Sequence, residues 1–205
     1  MSSHAARSTK AEVVSDFRRA QILAAARQSF TRRGVTGTTV ETIAKTAGLA
    51  KGTVYLYYRS KDDMLLQILM EDLAELKEDA ARCLEDPGTV EDRLRRFLHG
   101  VISFFERRRD FMEHCQLEMS PDVRKKAKQK LQLVFSAQTD AWRVVLHDAS
   151  ARGTVRATDL DAVARTIVSL AHGMSIQRLR GWQTDPLDAA VAAAVSLVLH
   201  GVTAS

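Results

Sequence analysis

Cysteine is nearly missing from these 205 residues: Cys83 and Cys115 are the two present. They are too few and too far apart for a disulfide framework or a zinc-type cluster, so reduced, buried thiols are expected. With 3 Pro and 10 Gly, little interrupts helix formation, and a 45% hydrophobic content can fill a sizeable core. No run of about 18 or more uncharged apolar residues is available to span a membrane. The opening MSSHAARSTK lacks the apolar centre of a secretory signal, so the chain is expected to stay in the cytoplasm and to have no membrane partner. Also missing are a glycine-rich phosphate loop, a His-Glu-x-x-His pattern, a nucleophile elbow and paired metal ligands. Cys115 beside His114 does not replace them. No enzyme, catalytic residue, cofactor or metal is therefore expected.

What is present is concentrated at residues 38–61, TTVETIAKTAGLAKGTVYLYYRSK. Thr38 with Glu41 three residues on has the form of a capping box, in which a hydroxyl and a carboxylate satisfy backbone N–H groups at a helix start. Val40, Ile43, Ala44 and Ala47 recur at helical spacing. Gly48 can adopt the left-handed conformation that ends the helix. In the next short helix Val54 and Tyr58 are four apart and point inward together, leaving Lys51, Thr53, Tyr55 and Tyr57 on the outer side. This is the layout of a helix-turn-helix, whose second helix enters the DNA major groove.

Charge supports the same conclusion independently. Residues 1–61 hold eleven Lys and Arg against three Asp and Glu, whereas residues 62–205 hold nineteen against twenty-two. A basic head on a mildly acidic body suits phosphate neutralisation and predicts salt-sensitive binding.

Residues 18–70 resemble the amino-terminal domain of the Tet repressor family of bacterial regulators. The resemblance is carried by Ile22, Ala25, Ala26, Phe30 and Gly34, then Thr38-Thr39, Ile43-Ala44, Ala47-Gly48, Lys51-Gly52-Thr53 with Tyr55, and Tyr58 followed by Lys61. The remainder is similar to the family in length and helical layout. The resemblance implies an all-α fold of about nine helices, with a three-helix head followed by a larger effector-binding and dimerisation domain. It also implies a ligand-responsive repressor that binds a palindromic double-stranded operator as a homodimer and is released by a small, hydrophobic effector. The alternative is a sequence-independent nucleic-acid-binding helical protein without an effector.

The expected DNA-binding set is Thr38, Thr39, Lys51, Gly52, Thr53, Tyr55, Tyr57 and Lys61. Lys51, Tyr57, Lys61 and Thr39 match family positions that touch DNA. Thr39 and Lys61 suit phosphates; Lys51, Thr53 and Tyr55 suit base edges, with Tyr55 equally able to serve the backbone. Gly52 contributes by having no side chain at the helix start.

Helix signals divide the rest. Residues 1–13 are polar and aperiodic and read as a disordered arm, with Arg7 and Lys10 near DNA; 14–60 form the helix-turn-helix domain and 61–205 the effector-binding and dimerisation domain. Ser60 with Asp63 predicts a long fourth helix, Thr89 with Asp92 a fifth, Ser120-Pro121 a seventh and Thr158 with Asp161 an eighth. The resemblance places an effector cavity among helices four to seven, where Phe97, Phe104, Phe105, Phe111, Cys115, Met119, Phe135 and Trp142 fall; ordinary core packing is the alternative for each. Ile167, Leu170 and Met174, with Val191, Val195 and Val198, form apolar stripes on the last two helices. They are the expected dimer interface, with an intramolecular core as the alternative.

Overall fold

The computed structural model describes residues 10–155 and 159–200, which form an all-α fold. Its helices are α1 Lys10–Arg33, α2 Val40–Ala47, α3 Lys51–Tyr57, α4 Lys61–Glu85, α5 Val90–Arg107, α6 Arg109–Glu118, α7 Pro121–Ala151, α8 Leu160–Leu179 and α9 Leu187–His200. None of the described helices is long and apolar enough to cross a membrane. Two compact units divide the chain: a head, up to Leu69 together with Asp110–Lys126, and a body, Met70–Arg109 together with the chain from Ala127 onward. The division is therefore not the linear one expected at residue 60, because α6 and the start of α7 pack with the head.

Helix α1 begins at Lys10, so residues 10–13, expected in a disordered arm, are helical; Arg7 lies outside the described residues. Glu12 in the first turn and Arg32 and Arg33 in the last suit the helix dipole. Gly34 ends the helix at φ 71°, and a side chain there would also strike the Glu118 carboxylate. The face that α1 buries is Ile22, Leu23, Ala25, Ala26, Ser29 and Phe30, and each fully buried large apolar side chain contributes about 1.5–3 kcal/mol.

The cap of α2 is Thr39 rather than Thr38: the Thr39 hydroxyl accepts from the Thr42 N–H at 3.1 Å. Thr38 is wholly buried and donates its hydroxyl to the carbonyls of Gly34, at 2.7 Å, and Ser29, at 3.2 Å. Gly48, at φ 66°, closes α2 as expected, with its N–H on the Lys45 carbonyl and the Leu49 N–H on that of Ala44. Helix α3 has seven residues, no side-chain cap at Ala50, and one buried side chain, Val54. Tyr58 just beyond it is also buried.

The body is centred on α5, whose Leu94, Phe97, Leu98, Val101 and Ile102 pack between α8 and α9. Thr89 and Asp92 make the expected capping box. Helix α8 is capped by Asp159, which accepts from the Ala162 N–H at 2.8 Å; the expected cap, Thr158, falls outside the described residues. Charged groups also tie the body together. Arg108 bonds Asp72 at 2.9 Å and Glu75 at 2.5 Å while lying over the Phe104 ring, and Arg178 bonds Glu106 at 2.5 Å.

Candidate nucleic-acid interface

Tight local closure fixes α3 against α2. Val54 of α3 and Ile43 of α2 are fully buried in the core of the head, and the Gln21 amide of α1 holds the end of α2 by donating to the Ala47 carbonyl at 2.7 Å. With Val54 and Tyr58 inward, the helical period turns Tyr55 and Leu56 outward, to 47% and 82% exposure. Lys51, Gly52 and Tyr55 are exposed, and Thr53 and Tyr57 half-buried. A Cβ added at Gly52 would meet nothing within 4 Å, so packing within the head does not require glycine there. Its absent side chain instead leaves the start of α3 open to close approach from outside.

Two cations are less free than the sequence implies. Lys51 is ion-paired with Glu41 on α2. The shared hydrogen bond raises the lysine's pKa and lowers the carboxyl's, and the ammonium also stands 5.9 Å from the Tyr55 ring centre. Lys61 donates to the backbone carbonyls of Val35 and Thr38, both at 2.6 Å. Its ammonium closes the loop between α1 and α2, which corrects the expectation of a free phosphate-binding cation. Thr38, buried beneath that loop, is likewise a structural residue and not a surface contact. On the other side of the loop Glu118 accepts from the Thr36 N–H at 2.6 Å, and this bond holds its carboxyl below the usual carboxylate range.

Leu56, the more exposed of the two outward-facing large apolar side chains of α3, is absent from the set expected from sequence. The signal is available there: if Val54 and Tyr58 face inward, position 56 lies almost opposite both. Arg19, 5.7 Å from the Tyr57 ring centre, also borders this surface, but α1 periodicity alone gives no reason to place it there.

The expected effector residues do not come together in one unit. Phe111, Cys115 and Met119 belong to the head, where Arg27 stands over the Phe111 ring at 4.9 Å. In the body Phe97 and Trp142 are fully buried and meet edge to face at 5.5 Å, as Phe104 and Phe105 do at 5.4 Å. Phe135 stacks on His172 at 3.7 Å. A cavity of about 460 Å³ elsewhere in the body is lined by Thr89, Arg93, Val145, Arg152, Leu199 and His200 among others, and by none of the predicted eight.

Most of the expected dimer stripe faces inward. Ile167, Met174, Val191 and Val195 are buried within the single chain, and Leu170 and Val198 are partly buried against the same core, because these faces pack onto α5. Apolar periodicity identified the inward sides of α8 and α9. Their outward sides carry Thr166, Ser169 and Ile176, and Ala189, Ala192, Ala193, Ser196 and Leu197.

Residues 22–68 match the sequence profile described as bacterial regulatory proteins, tetR family. The chain is 29% identical over 161 residues to the HTH-type transcriptional regulator TtgR of Pseudomonas putida, 75% of each chain. It is 32% identical over 87 residues to the regulator YhgD of Bacillus subtilis, a match that spans 42% of this chain and under half, 46%, of that protein. Among solved structures, FadR of Bacillus subtilis in complex with stearoyl-CoA shares the fold at a TM-score of 0.66 and 21% identity, covering 90% of this chain and 99% of that one. PfmR of Thermus thermophilus does so at 0.64 and 25%, covering 89% and 99%. Residues 22–68 are thus similar to the helix-turn-helix domain of the Tet repressor family of bacterial transcription regulators, and the all-α architecture around them is shared with solved regulators such as FadR and PfmR.

Proposed function

We propose that the chain is a ligand-responsive repressor that binds a palindromic operator as a homodimer through α3 and is released by a small, apolar effector held in the body. The observation that carries this reading is the outward set on α3, Lys51, Thr53, Tyr55, Leu56 and Tyr57, within a head holding eleven Lys and Arg against three Asp and Glu over residues 1–61. Thr39 at the start of α2 suits a phosphate. Tyr55 and Leu56 suit base edges and the thymine methyl, and Lys51 can exchange its Glu41 partner for a base or phosphate.

Dimerisation is supported by the outward faces of α8 and α9. Ala189, Ala192, Ala193 and Ser196 present small, uncharged side chains that permit close helix approach across a twofold axis, and Leu197 beside them is an exposed large apolar group. Such a dimer reads half-sites about 34–36 Å apart, or multiples of that spacing. The apolar effector is supported by the aromatic side chains of the body; FadR, which shares the fold, is bound to stearoyl-CoA, whose acyl chain is apolar although its coenzyme A part is charged. Effector binding then lowers operator affinity by its differential affinity for two conformations, typically about 1–3 kcal/mol.

Footprinting on DNA fragments selected from a random pool tests this. A short protected palindrome, lost on adding an effector, is the expected result. Weak protection of all sequences alike would leave a non-specific nucleic-acid binder.

A further inference from the structure

The body contains polar groups that packing alone leaves unexplained. Trp142 on α7 is fully buried, yet its indole Nε1–H has no hydrogen-bond partner among the described residues. One turn earlier on the same helix face, Gln138 is 3% exposed; its Oε1 pairs with His172 Nε2 at 2.9 Å while Nε2 has no partner. Reversing the amide would exchange the two atoms and still leave one unpaired, because His172 engages only one of them through Nε2. Such groups are costly in an apolar interior, and a buried donor normally finds an acceptor. Around them are Phe97, edge-on to Trp142, and Phe135 and Phe105, respectively stacked on and edge-on to His172. Phe105 and Phe135 are only partly buried against the core, so the rings nearest His172 reach towards the surface.

We infer that the Trp142 Nε1–H and Gln138 Nε2–H donors form the polar anchor of an effector site, which receives one neutral oxygen of an otherwise apolar molecule such as a ketone, ester or thioester carbonyl. The inference rests on the effector-binding reading above and specifies its chemistry. No charged group pairs with either anchor among the described residues, and burial keeps His172 neutral by lowering its pKa to about 4. A carboxylate or ammonium would therefore enter without a counter-charge, which is costly, whereas a carbonyl accepts from the indole N–H at little desolvation cost. Phe105 and Phe135 supply the apolar walls.

The test uses full-length protein carrying Trp182→Phe. Trp182 is 70% exposed, and the chain has two tryptophans, so the remaining emission comes from Trp142 alone. Two matched pairs of probes are titrated, 2-octanone against octane and cyclooctanone against cyclooctane. In at least one pair the ketone is expected to bind about tenfold more tightly than its hydrocarbon, as one recovered buried hydrogen bond implies. Trp142→Phe and Gln138→Met, followed by thermal shift with helix content checked by circular dichroism, should each reduce that preference towards parity. Equal affinities in both pairs, no binding in either, or a preference that survives Trp142→Phe would overturn the anchor and leave an internal water as its occupant. Operator affinity is measured separately: a ketone that binds with the expected preference but leaves DNA binding unchanged upholds the anchor and removes the effector reading.

Discussion

Acid should destabilise the body through one residue. His172 is 5% exposed, stacked on Phe135 and bonded to Gln138, and burial depresses its pKa from 6.5 to about 4. The folded state binds its proton less readily than the unfolded chain. Its contribution to stability is therefore complete above pH 6.5 and is lost as the pH falls from there towards 4. Linkage with those two values gives a loss of about 2 kcal/mol between pH 7 and pH 5 and about 3 kcal/mol in all. For a chain of this size, 2 kcal/mol corresponds to a fall in Tm of about 4–8 °C. Other groups titrate over the same range, so the decisive quantity is a difference between proteins. Urea unfolding of wild type and His172→Gln, which retains an amide that can face Gln138, should show the wild type losing about 2 kcal/mol more than the variant from pH 7 to pH 5. Parallel losses would refute the argument, since His172 would then titrate alike in both states.

The remaining predictions separate stability from DNA binding. Lys61→Met should destabilise the protein by about 1–3 kcal/mol, because two carbonyls lose their donor; a variant with wild-type denaturation and weaker DNA binding would restore the phosphate role. Arg108→Met should cost about 3 kcal/mol by removing the guanidinium from buried Asp72, measured by urea unfolding. Ala193→Glu places a charge on the outward side of α9 and should convert dimer to monomer in sedimentation velocity while preserving helix content.

The sequence revealed periodicity more readily than direction. Val54 and Tyr58, Gly48 and the Thr89–Asp92 box were legible because each rests on chemistry within a few residues of the chain. Thr38 and Thr39 were harder to tell apart: either hydroxyl can cap, and the decision depends on Gly34 and Ser29, which bring their carbonyls to Thr38. The role of Lys61 was hidden because its partners, Val35 and Thr38, lie 26 and 23 residues away. The stripes of α8 and α9 were visible, but an apolar stripe does not say whether α5 or a second copy covers it. In the structure α5 lies against both helices and Ile167, Met174, Val191 and Val195 are buried within the chain, while Leu170 and Val198 stay partly exposed. The aromatic set was divided for a related reason: Phe97, Phe104, Phe105, Phe135 and Trp142 belong to the body, whereas Phe111, Cys115 and Met119 pack with the head although their sequence neighbours belong to the body.

The shortness of α3 has a consequence for how specificity can change. Seven residues are too few for a helix to persist in isolation, and α3 lacks a side-chain cap and buries only Val54. Its conformation is imposed by its neighbours, through Val54, Tyr58 and the turn closed by Gly48. Tyr55 and Leu56 take almost no part in that support, so their side chains can be altered with little change in folding free energy, within about 0.5 kcal/mol for surface positions. Tyr55→Ala and Leu56→Ala should accordingly leave Tm unchanged and weaken operator binding by about 1–3 kcal/mol for each base no longer read. Affinities measured across single-base operator variants distinguish the roles: a residue that reads a base loses discrimination at one position, and a residue that holds phosphate loses affinity evenly. A fall in Tm of more than a few degrees in either variant would mean that the outer face of α3 also supports the fold, and the separation between scaffold and reading surface would fail.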